Sequence, residues 1–363
     1  WAGAAREAGF RFSLLTARSP DGYCLWNTAT TNYSAAAQAP KRDLFGAYAK
    51  AFRDAGIRVG LAYSLADWRL PAFWEGSANS AAWTSYRDYI HEQLRELLTN
   101  YGPIDFLLLN DGDRHTQEAW GIAKIVEMAR QLQPAMIITG NFGAGEFVGD
   151  AALVGPNQNE PPSSDMWVAV RPPAWRYRGF TWGDRWLPAD MLLNQMAEVV
   201  GAGGNLLVPV GPKANGALPL TFMLRQAAVG KWLRTNGEAI YSSEAVQGEP
   251  FSLGHVMKRR HNLYLIVCFW SRQQRLILSG LDTRVKRVIL LANGQAVDFE
   301  QSDDMLEITD LPRSFRTMFF PVLRIECESA PEIADLTTMC HKGDKRRRLE
   351  LWAVARGSGV NAD

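Results

Sequence analysis

In the stretch Asn110-Asp111-Gly112-Asp113, two acidic residues follow directly on the apolar run 106–109, Phe-Leu-Leu-Leu. In a β/α barrel, residues just past the C-terminal end of a strand line the active-site face. A carboxylate there can attack an anomeric carbon or stabilise an oxocarbenium ion, while a second carboxyl group supplies the proton. The same four residues would also serve as an Asp-Gly turn that simply ends a strand. Position alone leaves both readings open.

Other chemistries find less support. The histidines (His91, His115, His255, His261, His341) are dispersed, and His91-Glu-Gln-Leu-Arg lacks the second His of a zinc-protease helix. Cys24, Cys268, Cys327 and Cys340 are too scattered for a disulfide framework or a paired-cysteine metal site. No metal and no cofactor are therefore expected. Gly143-Ala-Gly-Glu-Phe-Val-Gly149 has the wrong spacing for a dinucleotide loop, and Gly155-Pro156 breaks the helix that such a loop requires. The basic run 345–348 reads as a solvated tail rather than a nucleic-acid site. The 13 Trp could be core, or could stack on the apolar faces of sugars. Composition does not separate the two.

The elements that would position these residues follow from length and pattern. At roughly 150 residues per domain, 363 residues predict two domains or one large one with an appendage. A formal charge of +1 gives no global field for nucleic acid or anionic lipid, and no run approaches the ~18 apolar residues of a membrane span. Residues 1–8 read as a helix already under way, which suggests a chain cut from a longer parent. Short apolar strands at 12–16, 59–64, 106–109, 136–139 and 205–208 alternate with helical patterns at 41–55, 86–101 and 120–132. Such alternation predicts a parallel α/β sheet covered on both faces. After Tyr241 the pattern changes to short strands at 263–270, 275–278, 287–291, 306–308 and 322–325, split by turns such as Ala292-Asn293-Gly294. That predicts a small antiparallel β-sandwich. From Ala330 periodicity ends, and a disordered tail is expected.

Several blocks resemble, in order, those of the α-L-fucosidases of glycoside hydrolase family 29. They are Leu15-Thr-Ala-Arg-Ser-Pro-Asp-Gly-Tyr-Cys-Leu-Trp-Asn27, Pro40-Lys-Arg-Asp-Leu44, Gly60-Leu-Ala-Tyr-Ser-Leu-Ala-Asp-Trp68 and Leu94-Arg-Glu-Leu-Leu-Thr-Asn-Tyr-Gly-Pro-Ile-Asp105, followed by Gly203-Gly-Asn-Leu-Leu-Val-Pro-Val-Gly-Pro212 and Trp232-Leu-Arg-Thr-Asn-Gly-Glu-Ala-Ile-Tyr241. The resemblance implies a (β/α)8-like barrel at 1–240, incomplete at its first strand, a β-sandwich at 243–328 and a tail at 330–363. It also implies hydrolysis of terminal α-L-fucosides with retention, through a covalent glycosyl-enzyme. The family's nucleophile falls on Asp111, and an active-site Tyr falls on Tyr63. Trp26 and Trp68 lie in motifs around the sugar pocket. The implied partner is a fucosylated glycan or other carbohydrate, not nucleic acid or membrane, with homo-oligomerisation open. The implied compartment is secreted or periplasmic.

Departures accompany the matches. The family's paired histidines fall on Ser19 and Pro20, and Pro20 offers no side-chain donor. Asn157 stands where the acid/base carboxylate is usual, which leaves Glu160 as the candidate proton donor. The Asn usual before Val-Gly-Pro is Pro209, and the family's Arg has no clear counterpart near Asn141. Three readings follow from the sequence: a retaining fucosidase using Asp111 and Glu160, a catalytically impaired relative that binds carbohydrate, and a glycosidase of altered sugar specificity.

Overall fold

A computed structural model of the chain describes residues 1–76, 80–142, 146–147, 149–156, 165–175, 179–246, 254–269, 274–312 and 319–333. The chain forms two compact units, Trp1–Val170 and Arg171–Asp363.

In the first unit, α1 (Ala2–Glu7) leads into β1 (Phe12–Arg18), followed by α2 (Leu44–Asp54), β2 (Arg58–Ser64), α3 (Pro71–Glu75), α4 (Ser80–Asn100) and β3 (Phe106–Asn110). Then come α5 (Gln117–Trp120), α6 (Ile122–Leu132), β4 (Ile137–Phe142), β5 (Glu146–Phe147), β6 (Ala152–Val154) and β7 (Trp167–Val170). Strands β1 to β4 pair in parallel in chain order. β5 folds back antiparallel on β4, and the next described element after the Gly-rich segment is the strand β6. The expected helix over 41–55 starts at Leu44, because the Asp43 carboxylate caps it by accepting from Gly46 N at 2.7 Å. The single helix expected over 120–132 is instead two, hinged at Gly121 in the left-handed region (φ +70°).

Alternation in the strands sorts residues to two faces. Val59, Leu61, Tyr63, Leu107, Leu109 and Ile138 join the apolar stripes of α2, α4 and α6 in one buried core. Leu14, Gly60, Ala62, Leu108 and Thr139 occupy the opposite face. Phe12 and Phe106 stack there with ring centres 6.1 Å apart, and a Cβ on Gly60 would lie 2.9 Å from Phe106 Cβ. At the end of β1 the register slips between Thr16 and Arg18. The extra residue reverses the alternation, so Arg18 pairs with Tyr63 and turns to the helix side.

The second unit contains α7 (Ala189–Gly201), β8 (Asn205–Leu207), α8 (Leu220–Asn236) and the short strand β9 (Glu244–Ala245). It continues with β10 (Gly254–Arg259), β11 (Asn262–Val267), β12 (Leu276–Ser279), β13 (Val285–Leu290), β14 (Gln295–Val297), β15 (Phe299–Ser302), β16 (Met305–Ile308) and β17 (Val322–Cys327). One sheet runs β14-β13-β17-β11-β10-β9 and a smaller one β12-β16-β15. Leu263, Leu265, Leu278, Val288, Leu306 and Ile325 from both sheets share one core. The other face of the larger sheet packs Met257, Tyr264, Ile266 and Val322 against Leu193, Met196, Trp232 and Leu233 of α7 and α8. This second core ties the two helices to the sandwich, which is why contacts part the chain at residue 170 rather than near 241. The first residues of the expected tail also belong here, since Ile333 bridges to Leu281. Residues 334–363, including the basic run, lie outside the described residues. No described helix is long and apolar enough to cross a membrane.

His255 of β10 approaches Asn194 Oδ1 of α7 at 3.0 Å, and burial lowers its pKa below the ordinary value. The unfolded chain therefore binds the proton more readily, and stability present above about pH 6.5 is lost as pH falls below it. In urea titrations the midpoint should fall from pH 7 to pH 5, and His255→Gln should make that fall shallower.

Candidate active site

The strand ends of the first unit present exposed carboxylates, of which Asp111 stands directly at the end of β3. Asp111 follows β3, is exposed, and sits in the left-handed region at φ +57°. Asp tolerates that conformation better than most residues. Its backbone is held on both sides. The carbonyl of Asn110 accepts from Leu65 N at 2.8 Å, and that of Gly112 accepts from the Trp120 indole N–H at 2.8 Å. Gly112 itself is buried, and a Cβ there would stand 2.3 Å from Phe142 Cε1. The Asp-Gly pair is thus set by space as well as by turn chemistry. Asp113 is also exposed. Behind the turn, His115 Nε2 lies 2.8 Å from the Phe73 carbonyl, and its ring packs among Phe73, Trp83 and Trp120.

The neighbouring strand ends form a rim. Ser19 is half-buried just past β1, and its carbonyl accepts from Gly22 N at 2.9 Å. Gly22 is required there, because a Cβ would fall 2.4 Å from Asp67 Oδ2 and φ is +76°. Asp67 is fully buried and receives Arg69 Nη2 at 2.8 Å, while the Arg69 guanidinium covers the Tyr33 ring at 4.1 Å. Trp68 donates its backbone N–H to the Pro20 carbonyl at 2.8 Å and leaves its side chain 57% exposed. Trp74, also exposed, donates its indole N–H to the Trp68 carbonyl at 3.0 Å. Ser19, Trp68 and Asp111 therefore share the C-terminal ends of adjacent strands β1, β2 and β3.

Two expected sugar contacts are placed elsewhere. Tyr63 is fully buried on the helix-facing side, and its hydroxyl donates to Gln93 Oε1 at 2.8 Å. Burial pushes its phenol well above the ordinary pKa, keeping it a neutral donor. The residue one position earlier, Ala62, takes the opposite face. Trp26 is fully buried as well, donating its indole N–H to Glu96 Oε2 at 2.8 Å. Both side chains are core here, because odd positions of β2 point to α4 and an indole buried with its N–H satisfied has no face left for a ligand. Asn157 and Glu160 lie outside the described residues. Among the described residues no cluster of three or more His, Cys, Asp or Glu could hold a metal ion.

The residues that sequence reasoning passed over are buried polar ones. Arg18 is 0% exposed, and Gln93 and Glu96 of α4 are buried with it. Gln93 receives Arg18 Nη1 and the Tyr63 hydroxyl on Oε1, each at 2.8 Å, and donates to Thr30 Oγ1 at 2.8 Å. Glu96 Oε1 accepts from Ala29 N at 2.8 Å. A signal was present: Gln93 stands four residues after Tyr89 and four before Leu97, inside the apolar stripe of α4.

A solvent-facing carboxylate on a clamped strand-end turn, with an exposed Trp following the neighbouring strand, suits the chemistry of a glycosidase. The chain belongs to the alpha-L-fucosidase family, glycoside hydrolase family 29, whose family model matches residues 1–238. It is 26% identical to human plasma alpha-L-fucosidase over 334 residues, covering 86% of this chain and 71% of that protein. Among solved structures it is similar to alpha-L-fucosidase isoenzyme 1 from Paenibacillus thiaminolyticus, with a TM-score of 0.82 and 29% identity over 91% of this chain and 86% of that one. Thermotoga maritima alpha-fucosidase in complex with fucose gives a TM-score of 0.75 and 25% identity, over 90% of this chain and 78% of that one.

Core and rim tryptophans should separate in equilibrium urea denaturation. Trp26→Ala should cost about 3–5 kcal/mol, from the cavity left behind. Trp68→Ala should stay within about 0.5 kcal/mol of the parent.

Proposed function

We propose that this chain is a retaining α-L-fucosidase in which Asp111 is the nucleophile and Glu160 the acid/base. The observation that carries this reading is the presentation of Asp111, exposed and rigidly held at a strand end, within the segment matched by the family model. In the first step an Asp111 Oδ attacks the anomeric carbon. The bond to the leaving-group oxygen breaks, and Glu160 gives that oxygen its proton. In the second step water gives its proton to Glu160 and attacks the same carbon, releasing Asp111 and fucose. Two carboxyl groups used in this way stand about 5–5.5 Å apart. The same reading takes residues 1–240 as a barrel of (β/α)8 type, incomplete at its first strand, and 243–328 as the sandwich, with a tail that begins after Ile333. A terminal fucoside is the substrate class, in line with the fucose bound by the Thermotoga protein.

A second reading, a glycosidase of altered sugar specificity, is favoured by one observation: Ser19 and Pro20 stand where the family carries a hydroxyl-reading histidine pair. A lost hydrogen-bonding partner in a polar pocket costs roughly 1–3 kcal/mol per unpaired group. A panel of aryl glycosides compared with the α-L-fucoside decides between the two sugars.

Release of a chromogenic leaving group from an aryl α-L-fucoside tests the first reading. Asp111→Asn should lower turnover by at least ~10³-fold, since a nucleophile acting in a catalytic unit has no substitute. Turnover unaffected by Asp111→Asn would sink the assignment, and Asp113→Asn serves as the control.

A further inference from the structure

We propose that Arg18 is a positioning residue for Asp111: its buried guanidinium clamps the turn after β2, and that turn holds the backbone immediately before Asp111. The inference rests on the fucosidase reading only for its effect on turnover, because the clamp itself is a matter of geometry.

Arg18 reaches the helix side only because the register slip at the end of β1 turns it there. Its Nη2 donates to the carbonyls of Ser64 at 2.8 Å and Ala66 at 3.2 Å, with Leu65 O at 3.5 Å. Tyr86 donates its hydroxyl to the same Leu65 carbonyl at 2.6 Å. Three consecutive carbonyls of one turn are thus gathered by a single cation and one phenol. The Tyr63 and Tyr89 rings lie over the guanidinium at 4.5 and 5.5 Å, and Gln93 fixes Nη1. With those carbonyls turned inward, Leu65 N is directed to Asn110 O at 2.8 Å. Asn110 precedes Asp111, whose left-handed backbone leaves little freedom to absorb a shift.

The chemistry makes this chain of contacts consequential. Covalent glycosylation needs the carboxylate oxygen in line with the anomeric carbon, and a misplacement of about 1 Å from a remote change can cost ~10²-fold in rate. Arg18 is fully buried, away from any bound substrate, so its loss acts on the nucleophile's placement rather than on substrate affinity. A lysine retains the charge but lacks the planar fork that spans separate carbonyls.

The test uses the full chain as the parent, Arg18→Met, Arg18→Lys and Tyr86→Phe, with two readouts. One is kcat and KM on an aryl α-L-fucoside. The other is amide hydrogen exchange at Leu65, compared with Leu107 in the middle of β3. For Arg18→Met the expected result is kcat down ~10²-fold with KM within about threefold, and faster exchange at Leu65 but not at Leu107. Arg18→Lys should recover about tenfold of kcat, and Tyr86→Phe should lose about threefold to tenfold, the worth of one hydrogen bond. Unchanged Leu65 exchange and unchanged kcat in Arg18→Met would overturn the proposal, as would a loss confined to KM. If Arg18→Met does not fold, Tyr86→Phe decides by the same two readouts. If the parent does not turn over fucosides, the fucosidase reading fails and Leu65 exchange alone decides the clamp.

Discussion

A cation with no solvent and, among the described residues, no carboxylate on its own fork is the constraint around which the first unit is arranged. Isolated burial of a guanidinium is prohibitive, and what compensates here is a ring of carbonyls, a side-chain amide and two aromatic faces. Hydrogen bonds to a charged group contribute roughly 1.5–3 kcal/mol each, about twice the neutral value. Satisfying Arg18 therefore dictates where α4 places Gln93, how the turn after β2 bends, and which way Tyr63 points. The Nε of Arg18 finds no partner among the described residues, so even this arrangement is incomplete.

From that centre the polar contacts run outward in two directions. One passes through Gln93 to Thr30 and ends beside Glu96, which holds Trp26 and Ala29; it fastens the long segment between β1 and α2 onto the helix. The other passes through the 64–66 turn to Asn110 and the Asp111 turn. The exposed carboxylate of Asp111 and a buried cation are then two ends of one backbone arrangement. Ser19 and Pro20, on the rim just past β1, stand above this polar framework. A scaffold of this kind tolerates change at its loop tips because the strand ends are fixed from behind.

The second unit follows a different logic. Its larger sheet is apolar on both faces, one turned to the smaller sheet and one to α7 and α8. Those helices are continuous in sequence with the α/β half, yet they share their core with the antiparallel strands. Domain boundaries drawn where the sequence pattern changes and where the contacts part differ for that reason.

Much was legible from residue order. The parallel strands, the helix patterns 41–55 and 86–101, the antiparallel strands and the strand-end Asp111 all follow from local periodicity, which side-chain alternation imposes on any strand or helix with a buried face. The sequence by itself also determined the Asp-Gly turn and the family to which the chain belongs. Only tertiary structure decided which residues face the strand-end opening. Tyr63 and Trp26 read as sugar contacts until packing placed them in the core, and it was a one-residue slip in β1 that turned Arg18 inward. Such a slip inverts the face of every residue beyond it, and no local propensity records it, because its energy comes from partners far away in the chain.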